Sequence, residues 1–161
     1  MLRDRIQPGV TVLFVGINPG MRSEAIGHHF AGYSNRFWKL LHESRLVPEP
    51  VGAEDDVRLP EWGFGLTNLV PRATPGIDTL RPGEFAAGAR ALRRKIGRFK
   101  SASSIKVMSV QSPKLRSKTG SSTMAAVVAA TALMTPQSES FMATSNGELE
   151  VISSTARIVT A

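Results

Sequence analysis

Val10 to Val15 is a nearly unbroken run of apolar and β-branched residues, and it stops at Gly16-Ile17-Asn18-Pro19-Gly20. A run with so little polar character must be covered on both faces, as a central strand of a parallel sheet is. From Ser34, read as an N-cap, the spacing predicts a helix to about Arg45, with Phe37, Leu40 and Leu41 on one face and Pro48 and Pro50 beyond its end. Glu49 to Arg58 reads as a polar linker, and Trp62 to Val70 as a second strand weakened by Gly63 and Gly65. After the turn-rich stretch Pro71 to Gly83, Phe85, Ala89, Leu92, Ile96 and Phe99 recur at the spacing of a buried helical face. Strand, loop, helix, strand and helix predict an α/β fold with a parallel sheet, whose ligands sit at the carboxyl ends of the strands. The loop at Gly16 to Gly20 occupies such an end.

Composition changes sharply near residue 100. Residues 1–100 hold all three His, both Trp, the only Tyr and six of the seven Phe, whereas residues 101–161 hold Phe141 alone among aromatics and thirteen of the Ser. The second part lacks the bulky side chains that usually fill a core, which divides the chain into 1–100 and a Ser/Thr-rich tail, 101–161. That tail is either a natural Ser-rich extension or the product of a shifted reading frame. Within it Ile105, Val107 and Ser109 alternate like a short strand, as do Leu149, Val151 and Ser153, and Met124 to Met134 has the length of a buried helix.

Charge and cysteine content narrow the function classes. Twenty Lys and Arg against thirteen Asp and Glu give a net charge of +7, the balance of a protein that meets a polyanion such as DNA. With no cysteine there is neither a disulfide framework nor a thiolate metal site, and a reducing cytoplasm is the default compartment. The apolar runs are too short to span a bilayer. No GxGxxG or GxxxxGK[ST] follows the first strand, which disfavours a nucleotide-binding protein.

Four segments then stand in order: Gly16-Ile17-Asn18-Pro19-Gly20, Gly27-His28-His29-Phe30, Ser34-Asn35-Arg36-Phe37-Trp38-Lys39 and Gly65-Leu66-Thr67-Asn68-Leu69-Val70. Together they resemble the mismatch-specific uracil and thymine DNA glycosylases over about residues 5–100. The resemblance implies the three-layer α/β/α sandwich of the uracil-DNA glycosylase superfamily. It implies an enzyme of base-excision repair that binds DNA, flips out a mismatched uracil or thymine and hydrolyses its N-glycosidic bond, without metal or cofactor.

The residue roles follow from the same resemblance and from chemistry. Breaking the glycosidic bond develops a cationic sugar and a base anion, so the site needs an aligned water and donors facing the departing base. Asn18 matches the water-positioning residue; its carbonyl can orient water but is no strong base. The classical uracil-specific branch carries Asp there, so Asn points to the mismatch type. On its own, Asn18-Pro19-Gly20 reads first as a turn, and only the other three segments favour catalysis. Phe30 matches the ring on which the flipped pyrimidine stacks, against the commoner fate of core packing. Ile17 and Gly20 match positions whose backbone lies along the base edge. Ser23 matches a hydroxyl near the water, or is an N-cap. His29, Asn35 and Asn68 are pocket candidates with ordinary hydrogen-bonding alternatives. Adjacent His28 and His29 point apart, and no HxxxH pair or cysteine completes a metal set. Arg36, Lys39 and Arg72 are phosphate candidates. Arg90, Arg93, Arg94, Lys95, Arg98 and Lys100 form a basic helical face, which is either a phosphate contact or simply solvated.

Two features that the resemblance leads one to expect are not recognised in residues 101–161. One is a further core strand, for which 105–110 or 149–153 would have to substitute. The other is a loop of the form Asn-Pro-Ser-Gly-Leu-Asn that wedges into the duplex; the nearest fragment is Ser145-Asn146-Gly147. Flipping costs a few kcal/mol of stacking that such a wedge offsets. The alternative function is therefore a catalytically silent nucleic-acid-binding remnant, and single-stranded DNA joins duplex as a candidate partner.

Overall fold

The computed structural model describes residues 1–99, 105–110, 140–145 and 148–153, the last two stretches as backbone only. Its centre is a parallel sheet of β1 (Val12–Gly16), β2 (Phe64–Asn68) and β3 (Lys106–Val110) in the order β2-β1-β3. The apolar run is thus the middle strand, and the register aligns Gly16 with both Asn68 and Val110, so the three carboxyl ends finish together. β3 corrects the expectation that the further core strand is missing. It lies beyond the compositional change, with Val107 and Met108 both buried.

Alternation along the strands divides the core in two. Val12, Phe14, Phe64, Leu66, Met108 and Val110 meet Phe37, Trp38 and Leu41 of α2 (Phe37–Glu43). On the other face Leu13, Val15 and Val107 meet Phe85, Ala89, Leu92, Ile96 and Phe99 of α3 (Pro82–Phe99), all five residues that the periodicity predicts. A helix on each face of a parallel sheet makes the three-layer sandwich. Full burial of a side chain such as Leu13 or Phe14 is worth about 1.5–3 kcal/mol. A short helix, α1 (Met21–Ile26), follows β1, and β4 (Ser140–Ser145) pairs antiparallel with β5 (Glu148–Ser153), the segment of the Leu149, Val151 and Ser153 alternation. The helix expected at Met124 to Met134, and Lys100, lie outside the described residues.

Two local expectations are revised, and the end of α2 gains its cause. Asn35, not Ser34, supports the start of α2, because Asn35 Oδ1 accepts from Phe37 N at 2.9 Å. The helix ends before Pro48, where Arg45 takes a left-handed φ of 56° and Leu46 N reaches back to Leu41 O at 3.2 Å. The polar linker is also not merely a linker: it contains a 3-10 turn, Ala53–Val57, whose Asp56 is 0% exposed. Gly65 in β2 is explained by a close approach, since a Cβ there would lie 3.1 Å from Arg5 O. Arg5 uses that space to exchange two backbone hydrogen bonds of 2.9 Å with Leu66. Among the described residues no helix is long and apolar enough to cross a membrane.

Candidate active site

The loops leaving β1 and β2 are joined above the sheet. Leu69 N donates to Gly16 O and Val70 N to Ile17 O, both at 2.8 Å, and Thr74 N donates to Pro19 O at 3.1 Å. These bonds carry Asn18 and Thr74 to the same point. Asn18 Nδ2 donates to Thr74 Oγ1 at 2.7 Å and to Pro19 O at 3.0 Å, and Thr74 Oγ1 donates onward to Gly76 O at 2.7 Å. Because Pro19 O can only accept, the nitrogen side of the amide is fixed there. Asn18 Oδ1 is then the group left to take a hydrogen from water. Asn18 is half-buried and Thr74 buried, so this orientation is held in a partly desolvated setting.

A second group converges on Gly16. A Cβ at Gly16 would lie 2.5 Å from Asn68 Oδ1 and 3.1 Å from the Phe30 ring. Only glycine lets a strand-end amide and an aromatic ring approach together there. Phe30 adopts a φ of 52°, costly for a residue with a Cβ, and its ring lies 4.4 Å from that of Phe37, centroid to centroid. His29 is 1% exposed; its Nε2 faces Arg3 O at 2.9 Å and so carries the hydrogen, while Nδ1 accepts from Asn68 Nδ2 at 3.4 Å. Burial holds the imidazole below its ordinary pKa of 6.5, against the opposing pull of Arg3 O and Asp56. A neutral His29 thus turns the Asn68 oxygen toward Gly16 and Phe30. His28 Nδ1 is bound to Asp56 Oδ1 at 3.0 Å.

Ser23 does not cap α1. It lies within the helix, 4% exposed, and its Oγ accepts from Ala31 N at 3.0 Å, tying α1 to the segment after Phe30. Ile17 is buried against Val70 and Leu80, and Gly20 is the exposed residue before α1. Asn35 is exposed and engaged at the start of α2, beside exposed Arg36; Lys39 faces Glu43 at 3.6 Å.

Arg72 is already occupied by a two-pronged ion pair with Glu84, both contacts 2.8 Å, and by Thr79 O. That pairing, with the Arg81 backbone, draws the Glu84 carboxyl down to about 2. Lys95 of the basic helical face bridges to Asp4 at 2.7 Å, whereas Arg90, Arg93, Arg94 and Arg98 are exposed. α3 passes Leu69, just past the carboxyl end of β2, at Gly88, and as the crossover between the parallel strands β2 and β3 it runs back toward the amino end of β3. Arg94 and Arg98 therefore lie toward the end of the sheet opposite Asn18.

Thr74, Arg5 and Asp56 escape the sequence reading. Thr-Pro-Gly reads as a turn, and the partners of the other two lie far along the chain. Among the described residues no three His, Cys, Asp or Glu side chains group as metal ligands.

A comparison with curated proteins finds 42% identity over 92 residues to the G/U mismatch-specific uracil DNA glycosylase of Schizosaccharomyces pombe, covering 55% of this chain and 28% of that protein. The chain thus spans less than a third of that relative's length. The family profile described as the uracil DNA glycosylase superfamily matches residues 4–143, continuing past the last recognised segment and through β3. With its parallel sheet between helices and its joined strand-end loops, the chain belongs to the uracil DNA glycosylase superfamily.

Proposed function

We propose that this chain hydrolyses the N-glycosidic bond of a mismatched uracil or thymine in DNA, as an enzyme of base-excision repair. The observation that carries the reading is the fixed amide of Asn18, whose nitrogen is bound to Thr74 Oγ1 and Pro19 O. Its oxygen is left to align a water against the anomeric carbon as the glycosidic bond lengthens. Phe30 supplies the flat face on which an extrahelical pyrimidine stacks, at about 1–3 kcal/mol per base. Backbone groups of Ile17 and Gly20 border the base, and the Asn68 oxygen, oriented through His29, adds an acceptor beside Gly16. The electron pair of the broken bond leaves with the base, water supplies the hydroxyl at the sugar, and the proton that water loses passes to the departing base anion. Since an Asn carbonyl is a weak base, most of the acceleration falls to stabilisation of the leaving base.

Single-turnover release of uracil from a U·G duplex and from single-stranded DNA, with enzyme in excess, tests the reading. Asn18→Ala should lower the maximal rate at least about 100-fold while changing DNA affinity little, because water alignment matters in the transition state and not in binding. Equal rates for Asn18→Ala and the parent would make Asn18 a turn residue and remove the basis of the proposal. Binding without release by the parent would favour the silent nucleic-acid-binding remnant.

A further inference from the structure

Asp56 is fully buried, in a 3-10 turn that the proposed chemistry does not use. Its Oδ1 accepts from Arg5 Nε and His28 Nδ1, each at 3.0 Å, and its Oδ2 accepts from the backbone N of His29 at 2.9 Å. Arg5 Nη2 donates in turn to Gly27 O at 3.1 Å. One Arg–Asp pair thus grips three successive residues, Gly27, His28 and His29, immediately before Phe30. A buried carboxylate is tolerated only when its oxygens are fully met, and here two basic side chains and one backbone N–H meet them. The residue after the gripped segment holds a φ of 52°, a conformation that persists in a side chain of this size only where its surroundings over-determine it.

We propose that Asp56 is the positioning residue of the base-stacking loop: with Arg5 it fixes Gly27 to His29 so that the Phe30 ring and the His29–Asn68 pair present one preset face to the extrahelical base. The inference rests on the glycosylase reading for what that face does. It does not rest on it for the geometry. Asp56 touches no reacting atom; it acts through the loop.

Asp56→Asn keeps the shape but must set its amide N–H either against the His29 backbone N–H or against the donors of Arg5 and His28. The maximal single-turnover rate of uracil release should fall about 10- to 100-fold, as expected of a small misplacement of a reacting partner. In a Phe30→Leu background the same substitution should cost several-fold less than in the parent, because the ring it positions has already gone and only the His29–Asn68 pair is left to misplace. Glu54→Gln, which removes a charge from an exposed position of the same turn, should leave the parent rate.

Two independent readouts accompany the rates: thermal unfolding, and the ¹⁵N resonances of the His29 ring and the Asn68 side chain. In folded Asp56→Asn these resonances should shift while those of α3 amides stay in place. If Asp56→Asn does not fold, Arg5→Lys replaces it, since lysine keeps the charge but cannot bridge Asp56 and Gly27 O together. A folded variant with the parent rate and unshifted resonances overturns the proposal, as do losses that multiply independently of Phe30→Leu. Should the parent itself release no uracil, the glycosylase reading fails, and the resonances alone decide: shifted supports the positioning role, unshifted overturns it.

Discussion

His29 illustrates how a single side chain can set the character of the site. Its two ring nitrogens have different partners, a carbonyl at Nε2 and an amide N–H at Nδ1, so the neutral tautomer satisfies both and the protonated form satisfies only one. Burial acts in the same direction, lowering its pKa below 6.5. Above pH 6.5 both folded and unfolded chains carry a neutral ring, and His29 makes no pH-dependent contribution. As pH falls below 6.5 the unfolded chain binds a proton that the folded chain resists, so stability falls until the lowered folded pKa is passed. The slope cannot exceed about 1.4 kcal/mol per pH unit for one proton. Urea midpoints measured from pH 7 down to 5 should therefore decline in the parent and decline less in His29→Gln. Parallel declines would show that other groups carry the effect. Protonation of the folded chain would also reverse the Asn68 amide, so uracil release should weaken only at lower pH, as the lowered pKa of the folded-state His29 is passed.

At the scale of elements, α3 depends on one close contact. A Cβ on Gly88 would collide with the carbonyl of Leu69, the residue just past β2, whereas a Cβ on Gly97 in the same helix meets nothing within 4 Å. Alanine is favoured over glycine inside a helix by about 0.8–1.0 kcal/mol at either position. At Gly97 that gain stands alone, so Gly97→Ala should raise stability by about 0.5–1 kcal/mol. At Gly88 the collision is with backbone, and overpacking of about 1–3 kcal/mol outweighs the gain. Gly88→Ala should thus unfold at lower urea with an unchanged slope, and opposite signs for the two alanines are the expected result. The same element shows what could be read in the sequence. α3 was legible because its buried face repeats with the helical period along the chain. β3 was only half legible: five residues with Lys106 and Ser109 among them carry too short a pattern to mark a core strand, and its burial is decided by its pairing to β1. The motif residues Asn18 and Phe30 could be named because they sit in recognisable segments. Nothing local could show that the second Asp of Glu54-Asp55-Asp56 would be buried, since its partner Arg5 lies 51 residues away. Thr74 was hidden for the same reason, its partner Asn18 being 56 residues distant.

For the molecule as a whole the proposed function raises the question of which face would meet DNA. The net charge of +7 favours a polyanion in any orientation, and charge alone cannot choose between the two ends of the sheet. The placement of the groups does choose, if the proposed chemistry holds. The Phe37 ring of α2 meets that of Phe30, so exposed Arg36, directly before Phe37, and the loosely paired Lys39 on the first turn are the cations of this helix closest in chain to the stacking ring. Arg94 and Arg98 stand toward the amino ends of the strands, and Arg72 is neutralised by Glu84. A strand whose flipped nucleotide reaches Asn18 would therefore lay its phosphates along Arg36 and Lys39. Each phosphate contact contributes about 0.9 to the slope of log affinity against log salt on duplex DNA. Replacing Arg36 and Lys39 with Gln together should flatten the slope by up to about 2 and weaken binding to all sequences alike. The matching pair Arg94→Gln and Arg98→Gln removes the same charge and should leave the slope nearly unchanged. Uracil release at subsaturating enzyme should follow the same order, since only the first pair holds the strand where a base can enter. Equal flattening by both pairs would mean that DNA is held by overall charge without a preferred face, and a larger effect from Arg94 and Arg98 would place it at the end of the sheet away from Asn18.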